Sequence, residues 1–158
     1  MHDAMSLTEM LLRVGVALLC GVCMGLNRDL HHKPAGFRTF GLVSVAAALA
    51  VLAIVQSAGD DLASVSRVMQ GILTGIGFVG AGVIFRREAR KPVAGLTTAA
   101  AIWYAAALGT ASGLGHIRLA LVGLAVAMLV LIIGGPIERY FERLLLKPPP
   151  PAPPASDA

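Results

Sequence analysis

The chain has 158 residues, 56% of them hydrophobic and only 14% charged, with a mean hydropathy of +0.77. A water-soluble domain of this length carries about 25% charged residues, so an ordinary soluble fold is excluded. The formal charge of +4 is no sign of nucleic-acid binding, because the basic residues sit in connectors between long apolar runs.

The apolar runs cover residues 7–26, 40–57, 68–85, 97–114 and 117–135. A membrane crossing needs about 20 residues, within about 17–25, and in a bilayer such a segment stays helical because its backbone must satisfy itself. The expected fold is an all-α polytopic membrane protein with about five transmembrane helices, in one domain over residues 1–140. Residues 141–158 form a proline-rich tail too poor in core-forming residues to pack, expected to be cytoplasmic, disordered and polyproline-like.

The first run lacks the basic leader of a secretory signal peptide and reads as a mature helix. Its Ala17, Gly21 and Gly25 make a small-residue face suited to close helix packing. Cys20 and Cys23 form a C-x-x-C, but a membrane interior disfavours the thiolate that redox or metal chemistry needs; they read as small hydrophobes. Arg13 lies about one and a half turns into this run. It is read as snorkelling to the interface or pairing with Glu9 at i−4, against the alternative of a functional charge.

The third run carries five glycines: Gly71, Gly75, Gly77, Gly80 and Gly82. At about 100° per residue, Gly71, Gly75 and Gly82 share one face and Gly77 and Gly80 lie nearly opposite. Ile72, Ile76, Val79 and Val83 form a bulky stripe between them. Small residues on two sides imply a helix clasped on two sides, so this run is expected to be the central helix of the bundle. In the fourth run Trp103 and Tyr104 read as core packing, with the Tyr104 hydroxyl able to donate inside the bundle.

The connectors set the orientation. Arg28, Lys33 and Arg38 follow the first run; Arg86, Arg87, Arg90 and Lys91 follow the third; Arg139, Arg143 and Lys147 follow the last. The other side carries Asp3, Glu9, Asp60 and Asp61 with Arg67 and Arg118. Positive charge marks the cytoplasmic side, which places the N-terminus outside and the C-terminus inside.

The two internal basic connectors echo each other. Arg28 aligns with Arg86, Lys33-Pro34 with Lys91-Pro92, Gly36-Phe37 with Gly95-Leu96, and Thr39 with Thr98. A parallel repeat of helical hairpins explains this; so does common turn vocabulary. Thr39, and Thr97 or Thr98, stand where N-caps are expected. Two helix N-termini beside Arg28, Arg38 and Arg86 would make an electropositive pocket, and Asn27 and Asp29 fall at the same level. Such a pocket suits an anionic ligand, a lipid headgroup or an acidic side chain of a partner. The plainer alternative is that these charges only fix topology and hold anionic lipid loosely.

Four stretches carry a resemblance: Gly25-Leu26-Asn27-Arg28-Asp29, Ala35-Gly36-Phe37-Arg38-Thr39, Gly75-Ile76-Gly77-Phe78-Val79-Gly80-Ala81-Gly82-Val83-Ile84, and Gly95-Leu96-Thr97-Thr98-Ala99-Ala100. In this order they resemble the MgtC/SapB family of bacterial inner-membrane proteins, over about residues 7 to 135. The resemblance implies a multi-pass inner-membrane protein linked to Mg²⁺ homeostasis and growth in low magnesium, and in pathogens to survival in macrophages. It implies either a transport-associated role or, without transport, a regulatory module binding a membrane partner such as ATP synthase. Position 27 is Asn where many relatives have Glu, and position 97 is Thr where virulence-type members have Asn. Those members also carry a soluble domain after the fifth span, where this sequence has its proline-rich tail, so functions housed in that domain are in doubt here.

Mg²⁺ prefers oxygen ligands, usually one or two carboxylates with retained waters. No Asp or Glu falls inside the apolar runs after Glu9, so a dedicated Mg²⁺ site in the membrane is poorly supplied; Mg²⁺ would be substrate and not a resident cofactor. His2, His31, His32 and His116 are dispersed apart from the 31–32 pair, which reads as solvated. No nucleophile–base arrangement is visible. No enzyme, resident metal, cofactor or nucleic-acid partner is expected; the lipid bilayer, a membrane protein or a further copy of the chain are the partners that fit.

Overall fold

The computed structural model describes residues 5–58, 61–84 and 94–145. Among them run five helices: α1 (Leu7–Leu30), α2 (Phe37–Ala58), α3 (Leu62–Gly82), α4 (Leu96–Gly113) and α5 (Ile117–Leu145). Four are long and apolar enough to cross a membrane: α1, α2, α3 and the Ile117–Glu138 part of α5. The all-α polytopic membrane fold stands. Helix α5 continues through Pro136 to Leu145, so residues 141–145 are helix where a tail was expected; the rest of the tail lies outside the described residues, as do Asp60, Arg86, Arg87, Arg90, Lys91 and Lys147.

Local chemistry sets most helix starts. The Ser6 hydroxyl accepts from the Glu9 N–H at 3.2 Å, the usual way to satisfy a free first-turn donor. At α2 the oxygen comes from eight residues upstream: the Asp29 carboxylate accepts from the Phe37 N–H at 2.9 Å. Gly36 makes room for it, since a Cβ there would stand 1.8 Å from Asp29 Oδ1. At α4 the cap is Gly95, with a φ of +93° and no side-chain cap. The expected caps are therefore corrected. Thr39, Thr97 and Thr98 all lie inside first turns, and the aligned glycines Gly36 and Gly95 occupy the positions just before the helices.

Helix α3 starts on Asp61, whose carboxylate accepts from the Ala63 N–H at 3.2 Å and from the Ser64 hydroxyl. The Ser64 hydrogen bond, then the Ala63 N–H, holds this carboxyl below its ordinary pKa. A depressed folded-state pKa stabilises the fold fully above the unfolded value of about 4, and the gain is lost as pH falls through the folded value. Asp61→Asn is expected to flatten the acid limb of the stability–pH curve below about pH 4, read by thermal unfolding across a pH series; an unchanged limb would refute it.

Contacts give the topology. Gly21 packs on Phe40 and Gly41, and Gly25 on Phe37, so α1 and α2 are antiparallel. Gly109 meets Ser44 and Gly113 meets Ala48, so α2 and α4 run parallel. Helix α4 touches all four other helices, whereas α3 touches only α2 and α4. The centre of the bundle is thus α4, not the glycine-rich third run. Ala101, Ile102, Ala105, Ala106, Leu108 and Gly109 are all buried. Phe40, Met24 and Cys20 complete the core around them.

The third-run glycines are corrected accordingly. A Cβ at Gly71, Gly75, Gly77 or Gly82 meets nothing within 4 Å, and only Gly80 approaches a neighbour, Ala99 at 3.6 Å. Gly71 and Gly75 line an open apolar groove of about 410 Å³ between α2 and α3. Gly21 and Gly25 do pack tightly: a Cβ would stand 2.4 Å from the Phe40 carbonyl oxygen at Gly21 and 2.3 Å from Phe37 Cα at Gly25. Bulky residues beside the third-run glycines, such as Ile72 and Ile76, keep α2 at a distance, while α4 is small on nearly every side and lets backbones close in.

Candidate functional site

Buried polar side chains gather at the two ends of the bundle. At one end Arg13 of α1 pairs with Glu9 and donates from Nη1 to the Gly113 carbonyl at 3.0 Å, while its own carbonyl accepts from the Ser112 hydroxyl at 2.6 Å. The pairing with Glu9 is the one expected; the grip on the end of α4 was not legible. Between the ends the buried polar side chains are Thr110, whose hydroxyl donates to the Ala106 carbonyl at 2.9 Å, and Ser44, whose hydroxyl has no partner among the described residues.

The other end is built from the last turn of α1 and the first turn of α4. Arg28 is only 5% exposed although charged, and its Nη2 donates to the Thr98 hydroxyl at 2.8 Å. Arg28 Nε and the side-chain oxygen of the adjacent buried Asn27 find no partner among the described residues. A buried guanidinium so incompletely satisfied is costly unless something supplies the missing acceptor.

A cavity of about 350 Å³ opens beside this pair. Arg28, His31, Lys33 and Thr97 line one side; Val130, Leu131, Ile132, Gly134, Gly135, Pro136 and Glu138 of α5 line the other. His31 Nδ1 sits 2.7 Å from the Asn27 carbonyl oxygen, which fixes the ring at the rim. Pro136 lacks the N–H that would bond the Ile132 carbonyl within the helix, so that carbonyl loses its usual helical partner at the cavity wall. The cationic side can hold an anion; Glu138 opposes it with a carboxylate.

Of the residues expected in an electropositive pocket, the structure brings together Asn27, Arg28, Thr97 and Thr98. Asp29 is not among them, because it is occupied at the start of α2. Arg38 is exposed and Thr39 half-buried, and neither lines the cavity. Arg86 lies outside the described residues. Sequence reasoning missed His31 and Lys33 as lining residues and the whole α5 wall. The Gly134-Gly135-Pro136 run was the available signal, since it interrupts an apolar helix near its polar end. Among the described residues no group of three or more His, Cys, Asp or Glu side chains converges as a metal site.

Comparison with known proteins places the chain. The family model described as "MgtC family" matches residues 14–140. The chain is similar to protein SrpB of Synechococcus elongatus, 43% identical over 75% of this chain and 71% of SrpB. It is similar to protein SapB of Bacillus subtilis, 36% identical over 70% of this chain and 50% of SapB. It is also similar to protein MgtC of Salmonella typhimurium, 37% identical over 77% of this chain and 50% of MgtC. The match thus spans about half the length of SapB and MgtC. No solved structure matches.

Proposed function

The chain belongs to the MgtC family, and from that premise we propose that it serves Mg²⁺ homeostasis and adaptation to low magnesium in a bacterial inner membrane. Its N-terminus faces outward, its C-terminus faces the cytoplasm, and it acts as a regulatory, non-catalytic module rather than as the ion conduit. One observation carries the choice: within a single chain the interior between the two polar ends is nearly apolar, with Ser44 and Thr110 as its buried polar side chains among the described residues, and the Thr110 hydroxyl is already committed to the Ala106 carbonyl at 2.9 Å. A path for Mg²⁺ would need several oxygen ligands or retained waters along that length. Charged groups are instead held at the ends, where they can meet an anionic ligand, a headgroup or an acidic side chain of a partner.

Regulation requires a partner. The resemblance points to a membrane complex such as ATP synthase, and the open face of α3 around Gly71 and Gly75 leaves room for a further helix.

The decisive experiment measures flux and physiology on one preparation. In a host lacking its own family member, the chain is expected to restore growth in low magnesium. Purified and reconstituted into liposomes with an internal Mg²⁺ indicator, it is expected to give no more influx than protein-free vesicles. Influx above that background, abolished by Ser44→Leu, would return the chain to the transporters.

A further inference from the structure

We propose that the cavity between α1, α4 and α5 binds a phosphate ester carrying an amine, the chemistry of an aminophospholipid headgroup or of a free aminoalkyl phosphate. Three observations meet there. Arg28 is a buried residue, only 5% exposed, yet its Nε has no acceptor among the described residues. Arginine is suited to phosphate oxygens because its donors form a planar fork. Beside it stands the first turn of α4, whose cap, Gly95, offers no side-chain acceptor. Free first-turn N–H groups and the helix dipole favour an anion at that end.

The opposite wall selects among anions. Glu138 contributes a carboxylate, and Pro136 strips the Ile132 carbonyl of its helical donor. A bare inorganic anion would face an unfavourable charge and leave both acceptors unmet. An ammonium one short linker from the phosphate supplies the cation that the Glu138 carboxylate on this wall lacks. The depth agrees: the apolar span of α1 ends at Leu30 and that of α5 at Glu138, so the cavity lies where headgroups begin. Its volume of about 350 Å³ falls at the lower end for small-ligand sites.

The proposal rests on the reading above only in setting this end of the bundle at a membrane surface. Its test is binding, so its failure is distinguishable from a failed flux or growth result. The full chain in maltoside micelles is titrated with phosphoethanolamine, with short-chain phosphatidylethanolamine and with short-chain phosphatidylglycerol, and its melting temperature is read. A saturable rise with phosphatidylethanolamine alone assigns the site to lipid; a rise with phosphoethanolamine as well assigns it to the headgroup chemistry from either source. Arg28→Gln is expected to weaken half-saturation about tenfold or more. Glu138→Gln, at an exposed position, is expected to bring the amine ligand down to the level of phosphatidylglycerol. Should Arg28→Gln fail to fold, the exposed Lys33→Gln is expected to weaken binding several-fold. No saturable shift with either amine ligand, wild-type affinity in both Glu138→Gln and Lys33→Gln, or equal binding of phosphatidylglycerol would each overturn the assignment.

Discussion

Gly109→Leu is expected to abolish recovery of folded protein, while Gly75→Leu leaves the isolated chain as stable as the original. A Cβ at position 109 would stand 2.0 Å from the Ser44 carbonyl oxygen and 2.8 Å from its carbonyl carbon. Both are backbone atoms of a buried segment of α2, so relief requires α2 and α4 to separate, with loss of contacts at Ala48–Gly113 further along. Overpacking a close-packed site costs about 1–3 kcal/mol when side chains can adjust. Gly109→Ala is therefore expected to cost about 3 kcal/mol, the upper end of that range, because no side chain can give way. At Gly75 a built Cβ meets nothing within 4 Å, and replacing glycine in a helix removes a conformational penalty of about 1 kcal/mol. Thermal unfolding and size-exclusion profiles of the variants in one detergent read both. A Gly75→Leu chain that aggregates while Gly109→Leu stays monodisperse would reverse the assignment of the central helix.

The contrast shows what was legible in the residues. Apolar run lengths located all five helices, four of them long and apolar enough to cross a membrane, because a bilayer leaves a spanning segment no choice but helix. Rank within the bundle was harder. Glycine count pointed to α3, but a glycine is a packing surface only when the residues flanking its face are small too. Helix α4 carries Ala, Ser, Thr and Gly on almost every side of Ala101–Gly113, with no continuous aliphatic stripe. That lack of a bulky aliphatic stripe was the true mark of enclosure, and the side left exposed is the short line of Leu96, Ala100 and Trp103. The cavity was half legible for a similar reason. Arg28 and Thr98 stood out as polar groups at helix ends, and they do bond. Asp29 looked like a third member of the set, yet its reach to the Phe37 N–H depends on a turn closing over Gly36, a contact that no short-range spacing rule encodes. The α5 wall stayed hidden because two matched hairpins drew attention to the first four runs.

Arg13→Leu is expected to destabilise the bundle by about 1.5–3 kcal/mol, and Glu9→Gln by no more than about 0.5 kcal/mol, although the two side chains form one ion pair. Their surroundings decide the difference. Glu9 is 46% exposed at the side chain, Arg13 only 14%. An ion pair at i,i+4 with one partner this exposed contributes about 0.3–0.5 kcal/mol. Arg13 also donates to the Gly113 carbonyl at 3.0 Å, at the C-terminus of the enclosed helix, where a cation is favoured by the dipole and an unpaired carbonyl is costly. Its guanidinium lies against Gly115, which turns the chain into α5 with a φ of +87°; even an alanine there would place its Cβ 2.9 Å from Arg13 Cζ. Arg13→Lys keeps the charge but not the fork and is expected to recover part of the loss. Equilibrium unfolding in mixed micelles, as a double-mutant cycle over Glu9 and Arg13, separates the pair from the helix-end contact. A coupling energy as large as the whole Arg13→Leu effect would mean that Glu9, not the end of α4, is what this arginine holds.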